Sequence, residues 1–274
     1  MKLVTIRTPQ GERAGRLDGN DVVLLPFANV TDLLASGDGW EVRATGGPER
    51  VPLATANLAP VVRPSKVFCV GLNYLLHIKE GGREVPEYPT LFAKFPEALT
   101  GPNDDIVLRP TSPQVDWEAE LVVVIGKNIR DADEDQAIGA IAGFTVGNDV
   151  SMRDWQRRTT QFLAGKTWEA SSPIGPALVT TDELGSARPN LAISCLLDDV
   201  VMQDARTSDL LFDPVHIVCY ASTIMTLHPG DALFTGTPDG VGFARTPPVF
   251  LLPGQTMTTR IEKLGELRNR MVAL

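Results

Sequence analysis

Apolar residues in this chain fall into short runs separated by Gly, Pro, Asp and Asn, a rhythm that predicts strands more often than helices. The strongest run is Leu121-Val122-Val123-Val124-Ile125, β-branched and closed by Gly126, and it reads as a buried strand. It follows directly on Asp116-Trp117-Glu118-Ala119-Glu120. Residues two apart on a strand share a face, so Glu118 and Glu120 should project side by side. Two carboxylates entering a buried strand repel each other and are costly to desolvate unless a cation or a proton neutralises them. The plainer alternative is a solvated edge with both acids in water.

The same pattern divides the rest of the chain. Leu3 to Arg7 alternates as a strand, Asp18-Gly19 is a hairpin turn between Gly15-Arg16-Leu17 and Val22-Val23-Leu24-Leu25, and Thr31-Asp32-Leu33-Leu34 can cap a short helix. Residues 1–62 are thus expected to form a small β-rich N-terminal domain. Leu58 to Pro64 reads as a proline-stiffened linker, and residues 66–274 as the main domain. There, strands are expected at Val67–Val70, Thr90–Lys94, Ala142–Val146, Leu191–Leu197, Ala232–Phe234 and on both sides of Gly265. A short helical stretch holds His77 and Glu80, and Gly81-Gly82 then leads into a polar segment, Arg83 to Pro89, that could act as a hinged flap. Further helices are expected at Asp133–Ala140, with Gln136 reaching back to its cap, at Arg153–Phe162, and from Asp213-Pro214 to about Met225. Strands outnumber helices without a βαβ rhythm, so the class is α+β, mainly β, with a mixed or antiparallel sheet system.

Composition narrows the function. The chain has 274 residues and a formal net charge of -9, with no basic block, which argues against a nucleic-acid partner. An anionic substrate would have to be drawn in by a metal or a few placed cations. The three cysteines, Cys69, Cys195 and Cys219, sit in apolar settings without metal-ligand spacing, as in a reducing compartment. No apolar stretch approaches roughly 18 residues, so no membrane span is expected. No signal peptide is evident behind Met1-Lys2, and a cytoplasmic location is the reading.

Asp149 follows Gly147-Asn148 at a strand end and could complete an all-oxygen site with Glu118 and Glu120. Three carboxylates without Cys or His favour Mg²⁺, Mn²⁺ or Ca²⁺. On spacing alone, Asp149 is equally suited to capping the next helix. His77 with a carboxylate three residues on can be held in one tautomer as a general base, or it can be a solvated surface ion pair. Lys94 and Lys166 could each bind a substrate carboxylate or be ordinary solvated lysines. Arg153 and Gln156 share a helical face near Asp149. The loop Thr235 to Gly242 has enough glycine to bring backbone N–H groups against a ligand, but lacks the context of a phosphate loop. His216 and His228 read as structural.

Together, Val70-Gly71-Leu72-Asn73-Tyr74 with His77 and Glu80, then Asp116-x-Glu118-x-Glu120-Leu121, Gly147-Asn148-Asp149-Val150-Ser151 with Arg153-Asp154, and Gly165-Lys166 resemble the fumarylacetoacetate hydrolase superfamily. So do Pro173-Ile174-Gly175-Pro176, Pro229-Gly230-Asp231 and Thr235-Gly236-Thr237-Pro238-x-Gly240-Val241-Gly242, in the family's order from about residue 66 to the end. The sequence departs from the pattern at Phe95, Asp198-Asp199 and Glu169, which bears on the substrate. The resemblance implies a mixed β-sandwich roll, a homodimer, and Mg²⁺ or Mn²⁺ (Ca²⁺ as a third choice) on Glu118, Glu120 and Asp149. It further implies a water-activating pair, His77 and Glu80, on a flap, with Lys166 supporting catalysis. Arg153, Gln156, Lys166 and Thr237 match positions that contact the substrate's oxo-acid end, and Lys94 and Gly236 are expected as further substrate contacts.

The activity expected from this is hydrolysis of a carbon–carbon bond in a 2,4-dioxo acid of acylpyruvate or fumarylpyruvate type. The alternative is isomerisation of a 2-hydroxydiene-dioate, or decarboxylation of an oxo acid such as oxaloacetate, on the same site. A structural Ca²⁺ in a non-catalytic β domain is a third reading. It would leave the His77–Glu80 pair on its glycine hinge without a purpose.

Overall fold

The computed structural model describes residues 1–274. One large twisted sheet runs, in spatial order, through Arg50–Pro52, Asp21–Leu24, Gly11–Asp18, Lys2–Thr8, Ser172–Thr180, Ile141–Asn148, Ala119–Ile125, Ala232–Phe234, Val67–Gly71 and Thr90–Lys94. Its strand pairs are antiparallel except Ala232–Phe234 with Val67–Gly71 and the short Leu99–Thr100 beside Ser172–Thr180. A second sheet, Val200–Arg206, Ala192–Leu197, Thr256–Ile261, Gly265–Ala273 and Ile106–Leu108, packs against it. The expected α+β, mainly β class with a sandwich of two sheets is what the chain adopts.

The strand Ala119–Ile125 lies at the centre and is buried on both faces. Leu121, Val123 and Ile125 enter the core between the sheets, with Ile193 and Leu267 from the second. Val122 and Val124 enter the opposite core, with Leu3, Leu33 and Trp40 from the N-terminal residues. A strand covered on both sides reads as a continuous apolar run, which is why this one was visible in sequence. Glu118 and Glu120 share the parity of Val122 and Val124.

The hairpin at Asp18-Gly19, the strands around Gly265, and the helices Glu134–Ala140 and Pro214–Ile224 form as expected, the first with the Asp133–Gln136 capping box. The first helix, Val30–Ala35, is capped by Asn29 rather than from Thr31, whose hydroxyl accepts from Arg63 N–H instead. The proline-rich stretch after Leu58 has no regular structure, yet it is packed, with Val61 and Val62 fully buried. Lys2–Thr8 extends the large sheet at Ser172–Thr180, and the Arg7 guanidinium grips Asp104 at 2.6 and 2.8 Å.

One expectation is corrected. The helix expected over Arg153–Phe162 stops after Gln156 and resumes only as Leu163–Lys166. The chain folds back so that Gly165 presses on Gln156, where a Cβ would meet Gln156 N at 2.4 Å. Gly147 and Asn148 lie in a regular strand and use no special backbone angles. Gly147 is small because a Cβ there would meet Phe234 Cε1 at 2.5 Å and Val122 Cγ2 at 2.6 Å. The nine-residue strand Ser172–Thr180 was not foreseen, because Pro173, Gly175 and Pro176 mask it.

Candidate active site

Glu118 immediately precedes the central strand, Glu120 lies within it, and Asp149 follows the end of the neighbouring strand. The register pairs Ala119 with Asn148 and Glu120 with Gly147, and Asp149 N–H donates to Glu118 O at 2.8 Å. One oxygen from each carboxylate lies within 4.8 Å of the others. Glu118, Glu120 and Asp149 are 5%, 2% and 0% exposed, so the solvated-edge alternative is excluded. Asp149 does not cap the next helix, whose N-terminus carries no side-chain cap.

Cations surround the triad. Lys166 Nζ donates to Glu118 Oε2 at 2.6 Å and Asp149 Oδ2 at 2.8 Å. Lys94 Nζ lies 2.5 Å from Asp149 Oδ1 and also donates to Lys166 O. Arg153 Nη1 pairs with Glu118 Oε1 at 2.6 Å, while its Nε donates to Asp116 Oδ2 at 2.9 Å. Both lysines are buried, so neither is a solvated surface cation. Burial alone would raise the Glu118 pKa, but Lys166 and Arg153 outweigh it and hold the group at about 2. Glu120 has no cation of its own. Burial first, and then the charges of Asp149 and Glu118, push it well above the ordinary carboxylate range.

The donor set fits a hard divalent cation. It offers carboxylate oxygens only, crowded together in a buried site. Asp149 Oδ1 receives no hydrogen bond despite its lysine neighbour. A positive ion there would offset the burial and the neighbouring charges that raise Glu120. Glu118, Glu120 and Asp149 would hold that ion.

His77 and Glu80 lie on the helix Leu75–Glu80, with His77 Nδ1 2.7 Å from Glu80 Oε1. The chain turns into this helix through Leu72, a bulky residue at φ +55°. Asn73 secures that turn by donating to Thr235 O at 2.6 Å and Phe212 O at 3.0 Å. His77, Glu118, Glu120, Arg153, Gln156, Lys166 and Thr237 all line one cavity of about 720 Å³, which Phe92, Phe162, Phe243, Arg83 and Arg157 extend. Of the expected site residues, Lys94, Asp149, Glu80 and Gly236 support this lining from behind. His216 stacks on Phe212 and His228 bonds Asn128, both structural as expected.

The loop Thr235 to Gly242 turns out differently. Its N–H groups are directed at the chain's own carboxylates: Gly236 to Glu120 at 2.7 Å, Gly240 to Glu80 at 3.1 Å, and Gly242 to Asp116 at 2.7 Å. Gly236, at φ +99°, fits only because a Cβ would strike Asn73 Cβ at 2.8 Å. Its N–H is engaged by Glu120.

Three polar residues of the site carried no signal of their own. Asp116, fully buried, takes the Arg153 guanidinium and the N–H groups of Gly242 and Phe243. Asn148 Oδ1 accepts from Glu118 N–H at 2.9 Å, and its Nδ2 donates to Thr259 Oγ1 at 2.9 Å. Gln203 reaches across from the second sheet to Ala119 and Thr237. Each lies far in sequence from what it holds.

A model of the C-terminal domain of fumarylacetoacetate (FAA) hydrolase matches residues 66–272. The chain is 46% identical over 216 residues, covering 78% of it and 69% of the relative, to oxaloacetate tautomerase Fahd2a, mitochondrial, of Rattus norvegicus. Among solved structures it is similar to the 2-hydroxyhepta-2,4-diene-1,7-dioate isomerase of Mycobacterium marinum, at 32% identity and a TM-score of 0.83, covering 100% of this chain and 98% of that one. It is also similar to the fumarylacetoacetate hydrolase of Exiguobacterium antarcticum, at 30% identity and a TM-score of 0.88, covering 100% of both chains. No helix of the chain is long and apolar enough to cross a membrane.

Proposed function

The chain belongs to the fumarylacetoacetate hydrolase family, and from that premise we propose that it moves a proton at the carbon beside the oxo group of a 2-oxo dicarboxylic acid, interconverting its keto and enol forms. The observation that carries this reading is His77, held 2.7 Å from Glu80 and lining the same cavity as Glu118 and Glu120 of the buried carboxylate triad. Likeness to an oxaloacetate tautomerase and to a diene-dioate isomerase supports it, since both names describe reactions that shift a proton without breaking the carbon skeleton.

Mg²⁺ or Mn²⁺ on Glu118, Glu120 and Asp149 would supply the positive charge that favours an enolate over the ketone. The remaining work falls to the chain. Glu80 occupies His77 Nδ1 and fixes the tautomer, leaving Nε2 to take the proton and return it. Arg153 Nη2 is buried without a partner and suits the carboxylate next to the oxo group. Lys166 adds a fixed positive charge beside the reacting oxygens. Arg83 and Arg157 line the outer cavity without pairing to an acid of this chain and suit the far carboxylate. Phe92, Phe162 and Phe243 limit water there.

The second reading is hydrolysis of a carbon–carbon bond in a 2,4-dioxo acid, with His77 taking its proton from water instead of carbon. The same His–Glu pair and the likeness to a fumarylacetoacetate hydrolase favour it. Incubation with oxaloacetate, an acylpyruvate and a hydroxydiene-dioate in D₂O with Mg²⁺, read by mass spectrometry, separates the two. Deuterium entering an otherwise intact oxaloacetate faster than in the enzyme-free control is the expected result. Two carboxylic fragments from the acylpyruvate would establish hydrolysis, and CO₂ release would establish decarboxylation. No enzyme-dependent change in any of the three would sink the assignment.

A further inference from the structure

Gln203 lies on the strand Val200–Arg206 and is 1% exposed. Its amide orientation follows from two backbone neighbours that cannot change roles. Ala119 N–H can only donate, and Gln203 Oε1 accepts from it at 2.9 Å. Pro238 O can only accept, and Gln203 Nε2 donates to it at 2.8 Å. The second hydrogen of the same Nε2 goes to Thr237 Oγ1 at 2.8 Å. Thr237 therefore accepts along that line, and its single hydroxyl hydrogen must leave in another direction. No carbonyl, carboxylate or hydroxyl of the chain receives it, and Thr237, 4% exposed, lines the cavity that holds Glu118, Glu120 and His77.

We propose that Gln203 is a positioning residue that fixes the polarity of the Thr237 hydroxyl, making it a dedicated donor into the cavity for an oxygen of the bound oxo acid. The part concerning the oxo acid rests on the function proposed above. The polarity itself rests on hydrogen-bond accounting alone. Through this link the second sheet contributes to recognition without touching the ligand. It also explains why a glutamine rather than an apolar residue fills a fully buried position between the sheets. The competing role is a plain staple, in which Gln203 only ties the second sheet to Ala119.

Two variants separate these roles. Gln203→Glu keeps an acceptor for Ala119 N–H but presents an acceptor to Thr237, turning its hydrogen away from the cavity. Gln203→Met removes the donor and leaves Pro238 O free to take the Thr237 hydrogen. Oxalate binding to the full chain with saturating Mg²⁺, measured by calorimetry, is the readout. Gln203→Glu and Thr237→Val should each weaken oxalate about tenfold, the loss of one hydrogen bond to a charged group. Gln203→Met should follow in the same direction, and Thr237→Ser should bind as wild type. The double variant Gln203→Glu/Thr237→Val should bind no worse than Thr237→Val alone. Wild-type affinity in Gln203→Glu, or a full additional loss in the double variant, overturns the proposal in favour of the staple.

A neutron structure of the wild-type protein reads the polarity without any variant. A deuteron on Thr237 Oγ1 directed into the cavity supports the proposal, and one directed at Gln203 or Pro238 overturns it. Failure of the wild type itself to bind oxalate would overturn the oxo-acid reading, and the neutron result would still decide the polarity.

Discussion

Two regions meet at the cavity and differ in nearly every physical respect. The carboxylate cluster is built on the large sheet, with Glu118, Glu120 and Asp149 no more than 5% exposed. Three buried cations and the Gly236 N–H hold it. The stretch from Leu75 to Pro89 carries the His77–Glu80 pair and is open to solvent, with Leu76 60%, Val85 53% and Tyr88 61% exposed. Its helix has six residues and continues through Gly81 and Gly82, the latter at φ +63°. The contrast assigns the tasks. Charge that must be desolvated sits where nothing can shift by a fraction of an ångström. His77, the proposed base, sits on a short solvent-facing segment that runs into two glycines. The tether between the two regions is Gly240 N–H, which donates to Glu80 Oε2 at 3.1 Å.

The comparison breaks most visibly at Asp149. Asp149→Ala should abolish Mn²⁺ binding and leave the Lys94 and Lys166 side chains, 0% and 3% exposed, short of an anion. Removing one partner of a buried ion pair costs about 3–5 kcal/mol, so the variant should unfold at markedly lower urea. Chemical denaturation and Mn²⁺ titration report the two losses separately. Retained Mn²⁺ affinity would remove Asp149 from the ligand set.

The flap should behave in the opposite way. His77→Ala should lower kcat by about 10²–10⁴ while leaving Mn²⁺ affinity and the unfolding midpoint unchanged. Activity lost without stability is the signature of a base on a mobile element, whereas loss of both would place His77 with the cluster. Retained kcat would end its role as the base.

pH sharpens the comparison, because the two glutamates shift in opposite directions. Glu118, held at about 2 by Lys166 and Arg153 against its burial, contributes stability that is present above the ordinary value of 4.5 and lost as pH falls to about 2. Glu120 is raised by burial and by the charges of Asp149 and Glu118. Its contribution in the metal-free protein is complete below 4.5 and disappears as pH rises through its folded-state pKa. Bound Mg²⁺ requires Glu120 ionised, so Mg²⁺ affinity should climb by up to about tenfold per pH unit while that proton is displaced. Urea unfolding in EDTA and in saturating Mg²⁺, from about pH 5 to about pH 9, tests the statements on Glu120 and on Mg²⁺ affinity. Metal-free stability that stays flat or rises over the range, together with a pH-independent Mg²⁺ affinity, would contradict them.

The central strand and the Glu118–Glu120 pair were legible because both obey local rules: a run covered on two faces is continuously apolar, and carboxylates inside such a run need a partner; Asp149 joined them only through the family resemblance. Family resemblance ordered the remaining motifs. What stayed hidden was set by distant contacts. Asn148 and Gln203 matter through hydrogen bonds to Glu118 N–H, Ala119 N–H and Thr237, and no spacing in the sequence announces them. The break after Gln156 comes from Gly165 folding back onto it, which helix propensity cannot foresee. Glycines in the loop Thr235 to Gly242 signalled close approach correctly, but the groups approached are Glu120, Glu80 and Asp116.

The smallest expected effect concerns the border between the two regions. Arg157 follows the short helix Arg153–Gln156, and its guanidinium lies 4.4 Å from the centre of the Phe243 ring, which Arg153 also meets at 4.4 Å. Partial burial and then the charge of Arg153 lower its pKa, as for a cation short of a partner. Arg83 of the flap adds to that repulsion. In a chain of net charge -9, two unpaired arginines at one cavity mouth call for an anion from outside. Arg157→Met keeps the apolar stem on Phe243 and removes only the charge. KM for oxaloacetate should rise about tenfold, matching one lost charge-assisted hydrogen bond. Binding of pyruvate, which lacks the second carboxylate, should be unchanged, as should Mn²⁺ affinity. A loss shared equally by both acids would place Arg157 at the metal end, and no loss for either would remove the second carboxylate from the substrate description.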